Sequence, residues 1–156
     1  MKTNSPNYRE IVALLNEVVP DTFLPASPKF VSWLSCAKLP VELIELFAEA
    51  SPHSEAWLGA GAFFDEDGII ESNVFHHDAL AADLFIIGSA GNGDHIAVDT
   101  RTGSVGYLCH EADWVRDGAR RWFVPVSESL GQFAANINRP DNGMPDDYWE
   151  AVRKDV

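Results

Sequence analysis

Hydrophobic positions along this chain follow a helical period at both ends and a strand period in the middle. Near the start, Ile11, Leu14, Leu15 and Val18 predict a first helix over residues 8–19, stopped by Pro20. Ser27-Pro28 has the composition of a helix start, with Phe30, Val31 and Leu34 apolar behind it. Pro40 suits the first turn of another helix, whose inner face is Leu43, Ile44, Phe47 and Ala48. Residues 57–64 and 69–75 flank Asp65-Glu66-Asp67-Gly68, a turn-like composition, and together predict a strand pair.

Residues 83–111 read DLFIIGSAGNGDHIAVDTRTGSVGYLCHE, three short apolar runs joined by two turns. Residues 84–87 are apolar without alternation, as in a strand covered on both faces, and residues 88–94 then predict a loop. Residues 95–99 alternate, placing Ile96 and Val98 on one face and His95, Ala97 and Asp99 on the other; Val105, Tyr107 and Cys109 resume the alternation. If Asp99 faces Ser104, Val98 lies opposite Val105 and Ile96 opposite Tyr107, with Gly103 in a left-handed bulge. A one-residue slip would send these side chains to the wrong face.

Residues 121–126 predict a further strand, inward at Trp122, Val124 and Val126, with Pro125 restricting it to an edge or strand end. Ser129 and Gln132 have the spacing of a capping box for a helix whose apolar stripe is Leu130, Phe133 and Ile137. Past Asn138 a polar stretch with Pro140, Gly143 and Pro145 leads to Tyr148 and Trp149, predicting a loop and a short C-terminal helix. Helices, then consecutive strands, then helices define an α+β class: a mainly antiparallel sheet flanked by N-terminal and C-terminal helices.

Several of these segments, in this order, resemble the SUKH superfamily of Smi/Knr-type domains, which includes many bacterial immunity proteins and some fungal cell-wall regulators. LFIIGSAGNGDHIAVD at residues 84–99 is similar to the family's strand, glycine-rich turn and strand ending in aspartate, and TGSVGYLCHE resembles the strand that follows. LPVELIELF at residues 39–47 is similar to its Leu-Pro-led helix, and VPVSESLGQFAANI at residues 124–137 to its closing helix. Residues 50–55, ASPHSE, depart from the Asn-Gly-Gly-like turn found in many members. The resemblance implies a non-enzymatic domain without a cofactor, an immunity protein that binds and neutralises a cognate bacterial toxin. A regulatory or scaffold adaptor of the same fold is the alternative.

Composition narrows the picture. At 156 residues and 46% hydrophobic, the chain suits one domain over residues 1–156, burying about two-thirds of its unfolded surface. There is no apolar run of about 18 residues for a membrane span, and residues 1–9 lack the apolar core of a secretory signal, so a cytoplasmic location is expected. Cys36 and Cys109, in apolar settings and without CxxC spacing, are expected as buried free thiols. Eleven basic against twenty-four acidic residues give a net charge of −13. That charge disfavours nucleic acid and anionic membranes as partners and suits a basic protein, such as a nuclease toxin.

Candidate chemistry is sparse by comparison. Gly88, Gly91 and Gly93 invite a phosphate-loop reading, but no Lys-Ser/Thr pair follows and the next element reads as a strand rather than a helix. His76, His77, Asp78, Asp94, His95, Asp99, His110 and Glu111 are metal-ligand and hydrolytic types, yet they lack HExxH or comparable spacing. A metal-dependent hydrolase using His95 or His110 is therefore the third reading. Ser89 lacks a GxSxG elbow, and Cys109 reads as an inward strand residue. The five tryptophans read mostly as core, with Trp114 expected to be partly exposed among carboxylates. The residues expected to contact a protein partner are Asp78, Asp94, Asp99, Glu111, Asp113 and Trp114, near strand ends or loops.

Overall fold

A computed structural model describes residues 22–58, 61–111 and 113–136, together with Ala13, Asn16 and Glu17, which are helical. The remainder of the expected first helix, Ile137, and the expected C-terminal helix at Tyr148 and Trp149 lie outside the described residues. The order is β1 (Phe23–Leu24), α1 (Pro28–Cys36), α2 (Val41–Glu49), β2 (Ser51–Pro52), β3 (Ala56–Leu58), β4 (Gly61–Phe63), α3 (Glu66–Phe75), α4 (His77–Ala81), β5 (Leu84–Ala90), β6 (His95–Asp99), β7 (Val105–Leu108), α5 (Trp114–Asp117), a 3-10 turn (Ala119–Trp122), β8 (Phe123–Ser127) and α6 (Leu130–Asn136). Strands β3 to β8 form one antiparallel sheet in chain order, while β1 and β2 pair separately. The α+β class read from the sequence is the one observed.

The central register follows the expected alternation. Val98 pairs with Val105 and Ile96 with Tyr107. The Asp99 N–H donates to the Ser104 carbonyl at 2.8 Å, and Gly103 turns the chain at φ +81°. Because successive strand residues point to opposite faces, this register divides the sheet cleanly. On one face, Phe85 meets Phe47 of α2 at 5.7 Å and Trp33 of α1 at 6.2 Å, while Tyr107 meets Phe133 of α6 at 6.3 Å. On the other, His95 meets His76 and Trp114, and Asp99 meets Arg120 of the 3-10 turn. Both faces are covered, which is why Ala97 and Asp99 are buried along with Ile96 and Val98.

Capping sets the helix boundaries. The Ser27 hydroxyl accepts from the Phe30 N–H, with Pro28 in the first turn, and Ser129 accepts from the Gln132 N–H. The Gln132 amide oxygen reaches back to the Glu128 N–H, one residue short of a strict capping box. On α2 the buried positions are Leu46 and Phe47, with Leu43, Ile44 and Ala48 half-buried.

The structure corrects four expectations. Residues 69–75 are not a strand: the Asp65 carboxylate accepts from the Gly68 N–H at 2.8 Å and starts α3, and Ile69 and Asn73, one turn apart, are its buried side. Glu66 and Asp67 in its first turn favour the same start through the helix dipole. The hairpin lies earlier, within the first run, where β3 pairs with β4. Strand β5 does not end at Ile87 but continues to Ala90, because Gly88 lets β4 approach so closely that a Cβ there would collide with the Ala62 carbonyl. Residues 121 and 122 belong to the 3-10 turn, leaving β8 at the sheet edge as Pro125 requires. Cys36 is exposed rather than buried, although both cysteines are free.

Candidate functional site

The junction of α3 and α4 creates the most unusual surface of the molecule. His76 ends one helix, its N–H donating to the Ser72 carbonyl, and begins the next. The helical path breaks there, and Phe75 is left 80% exposed, with Val74 beside it also exposed. Trp114 approaches from the first position of α5, a helix begun by Asp113, whose carboxylate accepts from the Arg116 N–H at 2.9 Å. The Trp114 indole N–H donates to the Cys109 carbonyl at 2.8 Å, which seats the ring at the end of β7.

These elements bring four aromatic rings into one chain of contacts. The Phe75 and His76 centroids are 4.8 Å apart at 81°. His76 lies 4.5 Å from His95 and 5.1 Å from Trp114, and His95 lies 5.5 Å from Trp114. Tilted and edge-to-face arrangements at these separations are the favoured geometry for aromatic pairs. The cluster thus runs from a ring inside the sheet to a ring in solvent. Val115, next to Trp114, is 85% exposed, and a shallow groove beside Phe75 is lined by Glu71, Ser72, Val74 and His76.

Charge is arranged around this patch in two layers. Asp94 is fully buried; its Oδ1 accepts from the His110 N–H at 3.1 Å and contacts the His110 Nδ1 at 2.7 Å. Gly93, at φ +94°, brings its backbone against the His110 ring, where a Cβ would sit 3.2 Å from Nε2. His95 is pushed down to about 4, first by burial and then by His76 and His110, with Asp94 opposing. Burial also lowers His76. Both imidazoles are therefore neutral at pH 7, so the patch is uncharged at its base. Glu71, Asp78, Glu111 and Asp113 are exposed, with Glu111 3.8 Å from the His110 Nε2 and Asp78 3.2 Å from the His77 Nδ1.

Of the six residues expected to contact a partner, four have accessible side chains: Asp78, Glu111, Asp113 and the half-buried Trp114. Asp94 and Asp99 are in the interior. Asp99, 4% exposed, takes a two-pronged contact from Arg120 at 2.6 and 3.1 Å and accepts from the Arg101 N–H. Burial raises its pKa, but the hydrogen bonds from Arg120, the Arg101 N–H and Thr102, together with the Arg120 charge, outweigh that and hold it below the usual carboxylate value. Strand-end position is thus a poor guide to exposure when helices cover both faces of the sheet.

Sequence reasoning missed Phe75, Val74 and Val115. Once residues 66–75 are placed on a helix, Ile69 and Asn73 mark the inner stripe, and Glu71, Val74 and Phe75 fall outside it. Trp57, expected in the core, is also exposed, on the edge strand β3.

Among the described residues, no group of three or more His, Cys, Asp and Glu side chains is placed to hold a metal ion, and no helix is long and apolar enough to cross a membrane. No family model matches the chain, and neither a curated protein nor a solved structure matches it at a significant level.

Proposed function

We propose that this chain is a SUKH-like protein-recognition domain: a bacterial immunity protein that binds and neutralises a basic cognate toxin in the cytoplasm, without catalysis or a cofactor. The observation that carries the reading is the exposed aromatic patch at the α3–α4 junction. Phe75 stands in solvent against the His76 ring, which in turn meets His95 and Trp114, while Glu71, Asp78, Glu111 and Asp113 are exposed on the same segments. An aromatic anchor ringed by accessible charges has the layout of an interface with an apolar centre and a polar rim, where burial of the anchor slows release. A net charge of −13 accelerates encounter with a cationic partner and repels nucleic acid. The sequence resemblance and the antiparallel sheet with flanking helices agree with this assignment.

The test is capture of the tagged protein's companion from its host at low and high salt, followed by growth of cells expressing that companion with and without this chain. A basic companion that kills only unprotected cells supports the proposal. A stoichiometric companion without toxicity overturns the immunity assignment in favour of an adaptor.

A further inference from the structure

We infer that the groove between Glu71 and Phe75 takes an arginine side chain of a basic protein partner, an inference that rests on the protein-recognition reading above. Glu71 and Phe75 are one turn apart on α3, which places their Cβ atoms about 6 Å from one another on the same helix face. Between and beside them lie Ser72, Val74 and His76. The Glu71 side chain has no ion pair or hydrogen bond among the described residues. Its charge is available to a ligand.

The Phe75 ring is exposed yet held in place. Its contact with His76 at 81° is backed by His95 and Trp114, so the ring is braced from behind by a cluster rooted in β6 and α5. A braced ring in solvent offers a flat face that loses little conformational freedom when covered. A guanidinium stacks on such a face and, in the same pose, directs two parallel N–H groups at one carboxylate. Phe75 and Glu71 provide these two halves. A lysine ammonium is a compact, strongly hydrated charge and satisfies only the carboxylate half. The neutral base of the patch adds no repulsion at pH 7, since His76 and His95 are both lowered by burial.

The experiment uses N-acetyl-arginine amide and N-acetyl-lysine amide as probes of the full chain, followed by backbone amide shifts in NMR. Arginine amide is expected to shift the amides of residues 71–76 and to bind about fivefold more tightly than lysine amide. Glu71→Gln and Phe75→Leu should each remove that preference; both positions are exposed, so the unbound spectrum stays that of the folded protein. Equal binding of the two probes, or shifts centred elsewhere, overturns the inference. The protection assay above is independent of these probes. A toxin neutralised without an arginine preference sinks the groove alone, whereas an arginine preference without any toxin sinks the immunity reading alone.

Discussion

Asn73, on α3, hydrogen-bonds both backbone groups of Ile86, on β5. Its Oδ1 accepts from the Ile86 N–H at 2.9 Å, and its Nδ2 donates to the Ile86 carbonyl at 2.8 Å and to the Ile69 carbonyl at 2.8 Å. Strand β4 pairs with β5 only from Ala90 to Gly88, so among the described residues no strand lies beside Ile86 on that side. A helix side chain substitutes for the missing strand and keeps buried backbone groups paired.

Replacing Asn73 by Ala or Leu leaves the Ile86 N–H and carbonyl unpaired in the interior and should cost about 3 kcal/mol. Asn73→Asp should be at least as damaging near neutral pH, because it retains the acceptor but turns a carboxylate toward two carbonyls. Urea denaturation measures this. A loss below about 0.5 kcal/mol in Asn73→Ala would mean that these bonds contribute little.

Glu66 ties three distant segments together. Its carboxylate accepts from the Ser27 N–H at 3.0 Å, the Ser27 hydroxyl at 2.6 Å and the Ser51 hydroxyl at 2.6 Å, linking the start of α1 and strand β2 to the start of α3. Burial raises its pKa, and these hydrogen bonds overcome that to bring it below the ordinary glutamate value. Glu66→Gln should lose about 2 kcal/mol, since one amide face cannot accept from all three donors. The lost stabilisation belongs to the ionised form, so wild type and variant should converge as pH falls through the folded-state pKa, below 4.5. A constant difference down to pH 3 would contradict this.

Stability should also fall earlier on acidification, because of His95. In the unfolded chain it titrates near 6.5, and in the folded chain near 4. Between those values the unfolded state binds more protons, so stability decreases as pH drops through that window, by about 2 kcal/mol after allowance for partial solvent contact. His95→Phe keeps a ring against His76 and Trp114 and should flatten the stability profile from pH 6.5 to pH 4. Parallel profiles for the two proteins would rule out His95 as the source.

How much of this was legible in the sequence depends on the range of the interactions. The Val98–Val105 and Ile96–Tyr107 pairs and the Gly103 turn follow from a period of two and a local backbone requirement, both written within fifteen residues. Asp65-Glu66-Asp67-Gly68 suits a hairpin turn and a helix cap equally well. The choice is made by Glu66 finding Ser27 and Ser51, which are 39 and 15 residues away. The same misplacement hid the patch, because a strand would have put Val74 and Phe75 on opposite faces and no exposed aromatic pair with His76 would arise. Burial of Asp94 and Asp99 was illegible for a related reason: their partners, His110 and Arg120, come from beyond the next strand.

Asp94 and Glu111 look equivalent in sequence, two acidic residues flanking neighbouring strands, yet the structure predicts opposite outcomes when each is reversed to lysine. Asp94 is fully buried against His110, so Asp94→Lys inserts an ammonium into a space built for a carboxylate and leaves its donors facing a cation; the loss should exceed about 3 kcal/mol and unfold a marginal domain. Glu111 is 69% exposed, and its charge acts outward. Glu111→Lys should change the melting temperature little but slow association with a basic partner about threefold at low salt, with the difference disappearing as ionic strength rises. Stopped-flow association and thermal melts on the same two variants separate the effects. A folded Asp94→Lys protein would refute the buried pairing, and an unchanged Glu111→Lys association rate would place the partner's approach on another face.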